Sequence, residues 1–135
     1  MKKLILIIAI LISVRATCFA PIWQHFTILF GESIQPYKEL VKAVCKLESD
    51  NGKYIYNPVE KAVGWFQIRQ IRVTDYNQRT GNNYKLEDFY DYKLSEKMFL
   101  YYADGKSLEK AAKSWNGSGP LTIKYWDKIK KYLSS

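Results

Sequence analysis

Histidine and cysteine are nearly missing: one His and two Cys in 135 residues. A His/Cys zinc site and a disulfide framework both need more than that. His25 has no cysteine, histidine or acidic cluster near it, so neither a metal nor a nucleophile role is expected there. The seven glycines form no P-loop and no Gly-rich nucleotide turn, and no Ser-His-Asp arrangement occurs. Internal repeats and low-complexity tracts are also lacking, and the length suits a single domain. What remains as reactive material is carboxylates, hydroxyls and amides.

The chain is rich in apolar residues (47%) and in aromatics (16%), enough for a packed core and too much for a disordered chain. An excess of Tyr and Trp also suits a groove that holds a hydroxylated ligand. The formal charge of +8 favours an anionic partner: nucleic acid, a membrane surface or a cell-wall polymer. The first residues account for part of that charge. Lys2 and Lys3 precede eleven uncharged residues, Leu4 to Val14. A basic head followed by about 7–15 apolar residues is the layout of a secretory signal, and eleven is short for a bilayer span. Residues 1–20 are therefore read as a leader with its cut site left open, and residues 21–35 as a lead-in. Apolar residues continue to Phe30, which keeps an uncleaved anchor as the alternative. Either way the domain is exported, to the periplasm or cell envelope. Setting aside Lys2, Lys3 and Arg15 from 21 basic residues leaves 18 against 13 acidic ones, about +5. The basic residues are scattered, so no nucleic-acid partner is expected. Lys124, Lys128, Lys130 and Lys131 read as the solvated face of a last helix. Cys45 is expected as a small buried hydrophobe.

From Pro36, the residues Tyr37, Val41, Val44 and Glu48 recur at helical spacing, and Leu40 and Leu47 flank the same stripe. Ser49-Asp50-Asn51-Gly52 supplies a stop, with Gly52 suited to a left-handed cap. Asn57-Pro58 breaks any helix, so residues 53–61 read as a loop or small hairpin. Further helices are expected over 68–79, 94–103, 107–115 (capped by Ser107) and 121–133. The fold class is mainly α: five or six helices with a loop or β-hairpin region lining a cleft.

Glu48 stands out on this map. A carboxylate on an apolar face near a helix C-terminus meets burial and the negative end of the helix dipole, and both raise its pKa. A general acid working near neutral pH needs that shift. The alternative is a boundary glutamate whose tip reaches solvent or a lysine.

Four segments in order carry a resemblance: Leu47-Glu48-Ser49; Val63-Gly64-Trp65-Phe66-Gln67-Ile68; Ala111-Ala112-Lys113-Ser114-Trp115-Asn116-Gly117; and Thr122, Tyr125, Lys128, Ile129. Together they resemble the lytic transglycosylase SLT family, which has a lysozyme-like fold related to goose-type lysozyme. The likeness spans residues 36–133. It implies a cofactor-free, metal-free monomeric enzyme that cleaves peptidoglycan glycan strands between N-acetylmuramic acid and N-acetylglucosamine. The product is a 1,6-anhydromuramoyl end. By the same resemblance Glu48 is the acid and then the base, and Ser49 orients its surroundings. Gly64 admits the glycan closely, while Trp65, Phe66 and Gln67 line the cleft, Gln67 offering its amide. Trp115 keeps a sugar-stacking ring where the family has Tyr. Asn116 holds the loop or substrate, and Tyr125 sits near the Glu48 carboxylate. Arg69 stands where goose-type lysozymes place an aspartate that helps hold a water, which favours the anhydro product over hydrolysis. Asp50 and Asp75 are the only nearby candidates for a second carboxylate. A lysozyme-type hydrolase and a non-catalytic peptidoglycan-binding subunit of a secretion or conjugation apparatus remain the alternatives.

Overall fold

A computed structural model describes residues 37–134. The expectations for the leader, the lead-in and His25 lie outside those residues. Among the described residues there are five α-helices, one short 3-10 helix and a two-stranded antiparallel hairpin, a mainly α architecture. None of these helices is long and apolar enough to cross a membrane.

The first helix, α1, runs Lys38–Ser49 and buries Leu40, Val41, Val44 and Cys45. Its stop differs from the expected one. Asp50 takes the left-handed cap at φ 54°, and its N–H and that of Asn51 donate to the carbonyls of Lys46 and Cys45. Short polar side chains tolerate this region better than other non-glycine residues do. Gly52 is also left-handed, and a Cβ there would lie 2.5 Å from the Trp65 ring, so glycine at this position makes room for the indole.

The hairpin follows, with β1 at Tyr56–Asn57 and β2 at Ala62–Val63, in register Tyr56↔Val63. Asn57 Oδ1 accepts from the N–H groups of Val59 and Glu60, which turns the chain after Pro58. Val63 then exchanges two backbone hydrogen bonds with Ile68 (2.9 and 2.8 Å), closing a tight loop over residues 64–67.

Helix α2, Gln70–Thr80, ends on Gly81 at φ 71°. The 3-10 turn Leu86–Tyr90 leads into α3, Tyr92–Ala103, where Asp91 accepts from the Leu94 N–H at 2.7 Å. Ser107 caps α4, Leu108–Asn116, as expected from sequence. Helix α5 runs Leu121–Leu133 and packs along both α1 and α4, while α4 also packs on α3.

The core between these elements is aromatic. Phe66 stacks on Phe99 (5.4 Å between centroids), Trp115 meets Phe99 edge-on (5.1 Å), and Tyr76 meets Tyr101 edge-on (5.2 Å). Phe66, Phe89, Phe99, Leu40 and Ile129 are almost wholly excluded from water. Each contributes about 1.5–3 kcal/mol from burial. Much of the aromatic excess is therefore spent on packing.

Candidate active site

The last turn of α1 presents Glu48 to a cleft, and the packing of α5 against α1 brings Tyr125 beside it. Tyr125 is buried, and its hydroxyl donates to Glu48 Oε1 at 2.7 Å. The contact joins residues far apart in the chain, so it depends on the docking of the two helices. Burial pushes the Glu48 carboxyl up to about 7. The Tyr125 hydrogen bond and the charge of Arg69 work against that rise, while the charge of Glu60 adds to it. Burial, followed by the neighbouring Glu48 charge, pushes the Tyr125 phenol well above its ordinary value, so it stays a proton donor in the hydrogen bond. Near neutral pH the Glu48 carboxyl thus populates both protonation states. That is the condition for giving a proton and taking one back.

The cleft has a volume of about 340 Å³. It is lined by Glu48 from α1 and Glu60 from the hairpin turn; Gln67, Ile68 and Arg69 enter from the loop before α2. Ile71, Arg72 and Asp75 come from α2 itself, and Trp115 and Asn116 from the end of α4.

Of the nine residues expected at the site, Glu48, Gln67, Trp115 and Asn116 line this cleft, and Tyr125 touches it through Glu48. The other four do not line it, although Ser49 keeps the orienting part expected of it. Ser49 is 1% exposed; its hydroxyl donates to the carbonyls of Cys45 and Trp65 and accepts from the Gly52 N–H. It ties the end of α1 to the hairpin loop and has no surface to offer a substrate. Phe66 is wholly buried against Phe99 and Trp115, a core residue and not a cleft wall. Trp65 packs over Gly52 and edge-on against Tyr92, away from the Glu48 cleft. Gly64 is needed for the chain's own approach: it sits at φ 75°, and a Cβ there would stand 2.1 Å from the Phe89 carbonyl oxygen.

Two of the cleft residues also play narrower parts than expected. The Gln67 amide nitrogen donates to the carbonyls of Tyr54 (3.0 Å) and Gly64 (3.1 Å), which holds the residue at φ 49° and leaves Oε1 as its remaining group. Trp115 is only 7% exposed. Its indole N–H donates to the Phe66 carbonyl at 3.3 Å, and the Arg72 guanidinium lies 4.7 Å from its ring. A sugar-stacking platform is not available there.

The two candidates for a second carboxylate part ways. Asp50 is paired with Lys46 at the end of α1 and does not line the cleft. Asp75 does line it, accepting from Arg79 Nε (2.8 Å) and the Tyr102 hydroxyl (2.5 Å), and those bonds hold its carboxyl below the usual range. Glu60 is a further carboxylate on the cleft that sequence reasoning missed. It lies in a turn without periodicity, and only the hairpin register, through the Asn57 turn, brings it round. Arg72 was likewise not singled out; its guanidinium lies against both the Tyr102 and Trp115 rings and donates to the Trp115 carbonyl at 2.9 Å.

Cys45 is buried, with its thiol pushed up to about 12 chiefly by burial, and is inert packing. The lysines at 124, 128, 130 and 131 lie on the exposed side of α5. Among the described residues no group of His, Cys, Asp and Glu could hold a metal ion. Comparison of the chain with protein-family models, with curated proteins and with solved structures gives no match.

Proposed function

We propose that the protein is a lytic transglycosylase acting on the glycan strands of peptidoglycan outside the cytoplasm. The observation that carries this reading is a single half-buried glutamate on a cleft, poised near neutrality and held by a buried tyrosine. Protonated Glu48 gives its proton to the glycosidic oxygen between N-acetylmuramic acid and N-acetylglucosamine. The C1–O bond breaks, the N-acetylglucosamine side leaves as an alcohol, and positive charge develops on the muramoyl ring. Glu48, now a carboxylate, takes the proton from the muramoyl 6-hydroxyl as O6 bonds to C1. The 1,6-anhydro ring closes and Glu48 is protonated again. The Tyr125 hydrogen bond steadies the intermediate carboxylate. No step needs a cofactor.

Glu60 on the cleft favours a second reading, hydrolysis, in which a carboxylate activates water at C1. Mass spectrometry of a peptidoglycan digest separates the two. Wild-type protein is expected to release 1,6-anhydromuropeptides, and Glu48→Gln none, with the same circular dichroism. The loss expected from removing the acid is about a hundredfold to ten-thousandfold. Reducing ends in place of anhydro ends would assign hydrolysis. Binding to cell wall without any cleavage would assign a non-catalytic subunit of an envelope apparatus.

A further inference from the structure

The cleft holds five charged side chains, and three of them are committed. Glu48 is bonded to Tyr125. Asp75 is bonded to Arg79 and Tyr102. Arg72 is held by two rings and by the carbonyls of Trp115 and Ser114. Arg69 and Glu60 differ. Their closest approach is 3.9 Å, beyond hydrogen-bond reach, and their side chains are 48% and 57% exposed. Among the described residues Glu60 is the one ion-pair partner within 4 Å of the Arg69 guanidinium, whose charge also reaches Glu48 across the cleft. Exposed pairs of this kind hold weakly, so an incoming anion meets little competition from Glu60. The guanidinium therefore offers its fork of N–H donors at the wall of a cleft that also holds Glu48.

We propose that Arg69 is a specificity-determining residue that selects glycan bearing a carboxylate beside the scissile linkage. This inference rests on the transglycosylase reading and deepens it. The chemistry Arg69 recognises is a planar carboxylate, which a guanidinium binds with two parallel hydrogen bonds. In peptidoglycan that group comes from one of two sources: the lactyl carboxylate of a muramoyl residue without its peptide, or a carboxylate of the stem peptide. A neutral N-acetylglucosamine oligomer has neither.

The test measures dissociation constants by calorimetry with the full chain carrying Glu48→Gln, so that ligands bind without being cut. Three ligands are compared: peptide-free strands prepared with an amidase, strands retaining their stem peptides, and the N-acetylglucosamine hexamer. Adding Arg69→Gln is expected to weaken at least one of the carboxylate-bearing strands about tenfold. The neutral hexamer should change by less than about twofold, and Arg69→Lys should recover part of the loss. The strand that loses affinity identifies the carboxylate. Raising the salt should shrink the effect, since the site is half exposed. Equal weakening of all three ligands, or no weakening of either carboxylate strand, would overturn the proposal while leaving the transglycosylase reading in place. If wild-type protein makes no product and no glycan binds, that reading falls and this inference with it.

Discussion

Glu48 and Asp75, two carboxyl groups lining one cleft, are driven in opposite directions by what surrounds each. Glu48 is half-buried at the end of α1 beside Tyr125 of α5, with one hydroxyl donor; burial dominates and raises its pKa. Asp75 sits on an exposed helix face with a guanidinium and a phenol directed at it, and its charged form is favoured. The same functional group is thus a proton reservoir in one setting and a fixed anion in the other. Desolvation decides the first case and paired donors the second. Arg72, on the same cleft, shows a third arrangement: a cation packed against two aromatic rings.

The largest expected effect concerns stability at Glu48. Its folded pKa, about 7, lies above the ordinary value of 4.5. The unfolded chain therefore releases this proton first as pH rises, and the fold loses stability between about pH 4.5 and 7. Glu48→Gln cannot ionise and keeps an acceptor for Tyr125. It should be more stable than wild type at pH 8, by up to about 3 kcal/mol and less where cleft water screens the charge. The advantage should vanish below pH 4.5. Urea titrations of both proteins at pH 4 and pH 8 check this, and equal stability at both would mean that the carboxyl is not desolvated.

Tyr125→Phe probes the same carboxyl more gently. The hydroxyl stabilises the carboxylate, so removing it should raise the Glu48 pKa further and move the basic limb of the pH–rate profile upward by about one unit. A limb that stays in place or moves down would mean that the phenol does not donate to Glu48 in solution.

The smallest effect belongs to Asp75. Its folded pKa lies below 3.8, so its contribution is present above that value and is lost as pH falls through the folded pKa. Asp75→Asn should cost less than about 1 kcal/mol at pH 7, as for other exposed pairs, and the cost should shrink in 1 M salt. A salt-independent loss of several kcal/mol would make Asp75 as enclosed as Glu48.

Much of the helical framework was legible in the chain because apolar spacing and caps are local signals. The helix expected over 121–133 is found at Leu121–Leu133, and Ser107 caps α4 as its sequence suggests. The expected helix beginning at Leu94 starts two residues earlier, at Tyr92, because Asp91 supplies the cap. The 3-10 turn at Leu86–Tyr90 had no periodic signal to announce it. Within the site, Glu48 was legible as a carboxylate on an apolar stripe. Ser49, Trp65 and Phe66 belong to motif segments beside the cleft, yet a motif does not tell which of its side chains face outward. The tight Val63–Ile68 bridge turns Phe66 into the core and Gln67 toward the cleft.

Sequence alone determined where the helices run, that Glu48 falls on a buried stripe, and that histidine and cysteine chemistry is scarce. These follow from covalent order, which sets helical phase and residue supply. The resemblance had placed Tyr125 near Glu48, and the two are hydrogen-bonded; only the tertiary structure decided that Glu48 also meets Glu60 from a hairpin turn and Arg69 before α2. It also decided that Trp115 is packed against Phe66 and Arg72 and is not a stacking surface. The reason is physical: desolvation and charge pairing act through space over a few ångströms, between groups that the chain order leaves far apart.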